Sequence, residues 1–360
     1  MRDDPPARNI INSIIQAGVQ APSGDNAQPW KFKVRGNIIE LWLDRKADCS
    51  FFNVRQIASI ISCGAVLENI RIAASTFRLK TDVEYPGDEN DSDLMAAVEL
   101  IPADLESDPL AGMIWARLTN RKLYKKGKVD PNHLETLQTA TTGFPGAVLH
   151  TITDTGVLKK VARMIFQVDR IRTEHRPIHE HLNQMIRFTD EEALMKRDGL
   201  PLKNLEAGVT GEMFLKMTRP WFVMNLVNRI GLGRLVALNS SQGILRSSGV
   251  ALLTVPGSGR QNFLKGGQVL ERVWLTLTKL GLAVQPMTAV TLFWMRWLWD
   301  GQNDFLPMHQ DRLKQVWQEY KELFPSVDFS TDGHVMLFRF GFSLDIRHRT
   351  IRKKVSDFLV

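Results

Sequence analysis

CGAVLENIRIAASTFRLKTDV (63–83) and GGQVLERVWLTLTKLGLAVQP (266–286) can be laid one over the other without a gap. Both carry G-x-V-L-E, at 64–68 and 267–271. Val66, Ile70 and Phe77 fall where Val269, Val273 and Leu280 fall, so the spacing predicts two helices with the same buried stripe, each followed by a strand. LMAAVEL (94–100) and VMLFRFG (335–341) are similar apolar strands downstream, at different distances from their helices. The simplest reading is two related halves fused in one chain. The boundary is expected near residue 110, after GDENDSD (87–93) and PADLESDPLAG (102–112), giving halves of 1–112 and 113–360. The second half is longer. Its excess, at about 165–245, reads as a helical insertion able to cover a site: EHRPIHEHLNQMIRF (174–188), DGLPLKNLEAG (198–208) and a Met- and aromatic-rich run to Leu238.

At 360 residues, 44% hydrophobic and 24% charged, the composition is that of a soluble globular chain long enough for two domains. The net charge of +7 suits an anionic ligand or an acidic surface, but the cations are scattered, which argues against a nucleic-acid stripe. Cys49 and Cys63 are too few for a disulfide framework and lack metal-ligand spacing, so cytoplasmic residence is the expectation. MRDDPPARN (1–9) shows no apolar core of a secretory leader. The most hydrophobic window, WFVMNLVNRIGLGRLVAL (221–238), is interrupted by Arg229, Arg234 and two asparagines, whereas a span needs about 20 apolar residues. No integral membrane span is expected.

Near the N-terminus, Ile10, Ile11, Ile14, Ile15 and Val19 mark one face of a helix that Pro22 ends. The loop APSGDNAQPW (21–30) follows. The runs WKFKVR and IIELWLD then alternate around Gly36-Asn37, as a hairpin does. Ser23, Gly24, Asp25 and Asn26 let backbone approach a flat polar ligand, or make an ordinary turn. WARLTNRKLYKKGKVDP (115–131) sets Arg117, Thr119 and Arg121 at i, i+2, i+4, so an extended segment aims two guanidinium forks and a hydroxyl to one side, as a phosphate dianion requires. A solvated basic edge is the alternative. In IRHRTIRKK (346–354), Arg349, Arg352 and Lys353 could close over the same anion or keep a tail soluble.

Other clusters carry less. His175 and His179 have an i, i+4 spacing, but Pro177 lies between them and no third ligand pattern follows. GSGRQNFLKGG (257–267) fits no phosphate-loop fingerprint and reads as a loop into the repeated helix. Trp294, Trp297 and Trp299 read as helix packing.

APSGDNAQPW resembles the APS-x-x-N-x-QPW signature of the nitroreductase superfamily. RLTNR followed by V-D-P is similar to its R-x-S-x-R phosphate segment, and GLAVQPMTA (281–289) to its strand facing the flavin. The Arg motif comes about ninety residues after the APS loop, as in the long, fused Acg-type branch. The resemblance implies an α+β fold, a pseudo-dimer whose mixed, mainly antiparallel sheets are flanked by helices. It also implies FMN between the halves, with Pro22, Ser23, Gly24 and Asn26 of the first half lining the flavin while Arg117, Thr119, Arg121 and Arg352 hold its phosphate. Pro286, Met287, Thr288 and Ala289 would sit against the ring. No catalytic side chain is implied, because the flavin carries the redox chemistry. The implied activity is NAD(P)H-dependent reduction of nitroaromatic, quinone or similarly flat electrophilic small molecules; a lid-sealed flavin binder is the alternative, and a homodimer of the fused chain stays open. Thr288 and Ala289 depart from the acidic residue and glycine many members carry there, and the first half has no Arg motif of its own.

Overall fold

The computed structural model describes residues 6–87, 92–346 and 348–360. The first residues of MRDDPPARN, the middle of GDENDSD and Arg347 therefore lie outside the described residues. In the first half, Ile11, Ile14 and Ile15 repeat at helical spacing and are buried along α1 (Arg8–Gly18), with Ile10 at the margin of that face. The helix ends before Pro22. Gly36, at a positive φ that glycine tolerates, turns β1 (Trp30–Arg35) into antiparallel β2 (Ile38–Leu43) with Arg35 opposite Ile38. Next come α2 (Ile57–Ser75), β3 (Leu79–Glu84) and β4 (Leu94–Pro102), and the sheet order is β1-β2-β4-β3, antiparallel throughout.

The second half repeats this order with additions. After the short α3 (Met113–Ala116) and α4 (Pro131–Thr139) comes β5 (Val148–Ile152). A helical excursion follows: α5 (Thr155–Glu174), α6 (Arg176–Met185), α7 (Asp190–Lys196) between the two-residue strands β6 (Ile186–Arg187) and β7 (Leu200–Pro201), α8 (Gly208–Met217), α9 (Trp221–Arg229) and α10 (Arg234–Leu245). The chain returns through β8 (Gly249–Val255), α11 (Arg260–Lys279), β9 (Ala283–Pro286), α12 (Ala289–Asp300), α13 (Pro307–Leu323) and β10 (Gly333–Gly341). This sheet is β5-β8-β10-β9, again antiparallel. Position for position, β5, β8, β9 and β10 stand where β1, β2, β3 and β4 stand, and α11 precedes β9 as α2 precedes β3. The excursion starts at Thr155, ten residues before the expected 165, because Asp154 caps α5 by accepting the Val157 N–H. The α12–α13 pair is a second addition that the sequence reading did not separate. It explains why the strands matching LMAAVEL and VMLFRFG lie at different distances from their helices.

The halves meet where α2 crosses α11. A Cβ built on Gly64 would lie 2.0 Å from the Leu264 carbonyl oxygen and 2.9 Å from the Gly267 Cα; one built on Gly267 would lie 2.0 Å from the Ile61 oxygen and 2.9 Å from the Gly64 Cα. The two glycines of the repeated G-x-V-L-E thus face one another, and backbone meets backbone. Covered by its own sheet on one side and by α11 on the other, α2 is apolar all round rather than striped. It is also the one described helix (Val54–Ser75) long and apolar enough to cross a membrane, in place of the 221–238 window, and 89% of its apolar window is buried inside the protein. One expected stripe position fails: Phe77 is 40% exposed, because α2 ends at Ser75 and the side chain falls beyond its last turn.

The tail closes the assembly. Phe32 N–H donates to the Phe358 carbonyl (2.8 Å) and Val360 N–H to the Phe32 carbonyl (3.0 Å), while the Phe358 ring packs on Trp30 and Phe32. The end of the second half therefore lies along the edge strand of the first. At the other side, α5 is tied to α13 by Glu174, which receives Arg312 (2.7 Å) and Arg170 (2.9 Å) and lies 3.3 Å from His309.

Two measurements test this framework. Gly64→Ala gains about 1 kcal/mol of helix propensity yet forces a methyl into backbone, so a net loss of about 2 kcal/mol or more is expected in urea unfolding; Gly143→Ala, with open space, should be near neutral. Burial alone would raise the Glu174 carboxyl, but His309, Arg312 and Arg170 outweigh it and hold it down at about 2. A depressed folded-state pKa contributes stability above the ordinary value of 4.5, lost as pH falls toward 2. The stability advantage of wild type over Glu174→Gln should accordingly shrink from pH 5 to pH 2, and an unchanged gap would refute the assignment.

Candidate active site

Two contiguous cavities, of about 110 and about 210 Å3, lie between the halves and share Pro22, Ser23, Asp25, Thr119, Arg121 and Leu200. All twelve residues singled out in the sequence line one or the other. Asn26, Arg117 and Arg352 line the smaller; Gly24, Pro286, Met287, Thr288 and Ala289 line the larger; Pro22, Ser23, Thr119 and Arg121 line both.

The Arg segment is placed by main-chain pairing. Thr119 bridges Val284 in parallel and Asn120 N–H donates to the Val284 carbonyl (2.8 Å), so 117–121 runs beside β9 and inherits its direction. Arg117 is buried, its Nε 3.1 Å from a Glu271 carboxylate oxygen, its guanidinium 4.8 Å above the Trp274 ring, and its Nη2 donates to the Gln20 carbonyl. Glu271 is the acidic residue of the second G-x-V-L-E. Burial pushes its carboxyl up, countered by Arg117 and Asn69. Arg121 donates from Nη1 to the Asn204 carbonyl (3.2 Å), and burial lowers its pKa. Arg352 donates to the Asn26 side-chain oxygen and to the Ala21 carbonyl (3.0 Å); its buried Nε has no partner, and burial with Arg117 alongside brings it down to about 9. Arg349 lines the same space from the tail. Four guanidinium groups thus surround the small cavity, and among its described lining residues Asp25 is the single carboxylate, 3.7 Å from His181. Arg117, Arg121 and Arg352, crowded and largely withdrawn from solvent, fit a dianion, which would relieve their repulsion and use the free Nε of Arg352.

The APS loop is held in an unusual backbone path. Asp25, Asn26 and Gln28 all have positive φ (45, 59 and 55°), and tertiary bonds hold them there. Asn26 Nδ2 donates to the Gly199 carbonyl (3.0 Å) and the Ile351 carbonyl (2.9 Å); Gln28 Nε2 donates to the Arg197 carbonyl (2.8 Å), and its oxygen accepts from Lys353 N–H (3.0 Å). The resemblance set Asn26 among the residues lining the flavin. The structure engages its side chain with the insertion and the tail, at the small-cavity end.

The larger cavity has three walls. Pro22 to Gly24, Ser50 and Phe52 come from the first half; Trp274 of α11 and 285–289 from the second; Ile165, Asp169 and Arg172 of α5, Leu182 of α6 and Ser240 of α10 from the insertion, which covers it. Met287 N–H donates to the Leu337 carbonyl (2.7 Å), fixing the turn from β9 into α12, and the first-turn N–H groups of that helix, from Ala289, have no acceptor within it. The sequence reading missed Asp48, Trp274, Asp169 and Arg172. Asp169 carried a signal: a carboxylate interrupting the buried face of α5 among Ile165, Val168 and Ile171, with one oxygen now buried and unpartnered. Burial also raises Asp48, whose carboxylate accepts the Ser50 N–H (3.0 Å). The histidine pair diverges: His175 meets the Asp304 carbonyl (3.2 Å) and His179 the Arg219 carbonyl (3.1 Å).

No protein-family model matches the chain. It is 28% identical over 335 residues to the uncharacterized Mycobacterium tuberculosis protein MT1398, a match covering 91% of this chain and 45% of that one. It is 24% identical over 294 residues to the M. tuberculosis "Putative NAD(P)H nitroreductase acg", covering 81% of this chain and 83% of that one. Similar solved structures include the FMN-dependent nitroreductase NfnB from Mycobacterium smegmatis in complex with NADPH (14% identity, 68% of this chain, 94% of that one, TM-score 0.39) and a Bacteroides fragilis nitroreductase with bound FMN (9%, 68%, 96%, TM-score 0.34). The nitroreductase resemblance drawn from the APS and Arg motifs agrees with the name of the second of the two M. tuberculosis relatives, and the architecture is the α+β, two-half, mainly antiparallel arrangement it implied.

Asn26→Ala deletes the bonds joining loop, insertion and tail, at a cost of about 2 kcal/mol for contacts that include a charged donor. Faster amide exchange at 197–200 and 350–353 is expected, with α1 unaffected; unchanged exchange in both segments would remove Asn26 from this role.

Proposed function

We propose that this chain is an FMN-dependent NAD(P)H oxidoreductase that reduces nitroaromatic, quinone or similarly flat electrophilic small molecules. The observation that carries the reading is the pairing of an arginine-lined cavity with a larger, mostly apolar one, contiguous and built from both halves. It matches a cofactor with a phosphate at one end and a flat ring at the other, and the nitroreductase names of relatives and neighbours agree. FMN held there would supply the hydride acceptance and donation.

The chain's own residues do the rest. Arg117, Arg121 and Arg352, with the Thr119 hydroxyl, hold the phosphate; Glu271 and the Trp274 ring fix the Arg117 fork so that little side-chain entropy is lost on binding. Pro22 to Gly24 and the 286–289 turn present backbone to the ring from opposite halves. The insertion excludes water from the large cavity, strengthening polar contacts inside it.

Purified protein should carry one FMN per chain, released on denaturation. Arg117→Ala, Arg121→Ala or Arg352→Ala should weaken FMN by about 1.5–3 kcal/mol, the value of a charge-assisted hydrogen bond, read by fluorescence titration. NAD(P)H oxidation is then measured against a quinone and nitroarene panel. Equal FMN affinity in all three variants would exclude the cradle, and tight FMN without turnover would overturn the enzyme reading in favour of a sealed flavin binder.

A further inference from the structure

Among the described residues, twelve of the twenty-one exposed large apolar side chains fall within residues 194–245 of the insertion. On α8, Val209 (82% exposed), Met213 and Met217 recur every four residues; on and just after α9, Phe222 (76%), Leu226 and Ile230 do the same. Met224 of α9 and Ala237, Ser241 and Ile244 of α10 are buried, and both helices pack on α5, so the apolar faces of α9 and α10 point away from the body.

Cations are interleaved with them. Residues 208–246 hold Lys216, Arg219, Arg229, Arg234 and Arg246 against Glu212 alone, a balance of 5 − 1 = +4 within a chain of net +7. All five are exposed, and among the described residues none forms a salt bridge.

We propose that α8–α10 dock this protein on an anionic lipid surface. Helices whose apolar side chains protrude, flanked by exposed cations that form no salt bridge among the described residues, fit the boundary between acyl chains and acidic headgroups, where apolar groups sink in and cations stay at headgroup level. A second copy is a poor occupant, because it would bring two +4 surfaces together. A fluid surface needs no matching groove, which suits protruding side chains. Ser240 of α10 also lines the large cavity, so docking sets the roof of that cavity beside the lipid.

The test uses the full chain and sedimentable vesicles of equal parts phosphatidylglycerol and phosphatidylcholine, or of phosphatidylcholine alone. Binding is expected to the first only, and to fall as salt is raised. Phe222→Asp/Leu226→Asp and Arg229→Glu/Arg234→Glu, all at exposed positions, should each weaken it about tenfold or more, with circular-dichroism melting unchanged. Absence of binding to anionic vesicles at low salt would overturn the proposal. So would a self-association in sedimentation velocity that Phe222→Asp/Leu226→Asp abolishes, which would assign the face to a second copy.

Discussion

Everything in this molecule is arranged around the close approach of α2 and α11 at Gly64 and Gly267. With no Cβ on either side, each helix sets its backbone against the other, and the apolar remainder of α2 is buried from both directions. That contact fixes the distance between the halves, hence the width of the space where the APS loop of one meets the Arg segment of the other. A wider crossing would separate the two parts of the candidate site.

The pseudo-symmetry at the crossing is broken where chemistry begins. Glu68 and Glu271 hold equivalent places one residue past each V-L pair, and both are fully buried. Each meets the residue that follows the other: Arg272 reaches Glu68 at 2.6 Å, and Asn69 lies beside Glu271. Around Glu68 the charges close on themselves, with Arg71 and Arg272 both also bound to Asp108. Around Glu271 they lead outward, through Arg117, to the cavity. A symmetric layout therefore contains one structural ion cluster and one open cradle, in keeping with an Arg motif present in the second half alone.

Much of this was legible because it is periodic or local. The isoleucines of α1, the Gly36 hairpin, the repeated helices and the i, i+2, i+4 arginines each announce themselves within a few residues. What escaped depends on residues far apart. Nothing near Asn26 says that its amide will find Ile351 and Gly199; those bonds form only once tail and insertion arrive. The α12–α13 addition was hidden because its tryptophans pack as any buried helix does. The first turns of α5 were not separated from the strand before them, although Leu158, Val161 and Ala162 are buried there, because the helix starts on a single Asp154 cap. Trp274 carried no signal beyond its helix, since its stacking on Arg117 belongs to the fold.

The tail that lays Arg352 against Asn26 joins residues 326 apart in sequence. Synthesis is vectorial, and a chain folds from its N-terminal parts as they emerge. The APS loop and α1 are made well before the Arg352 fork that faces them, which follows Asn26 by 326 residues. The cradle therefore stays open until the tail has been made, and a nascent chain stalled before residue 352 would present both sheets but an unfinished anion pocket.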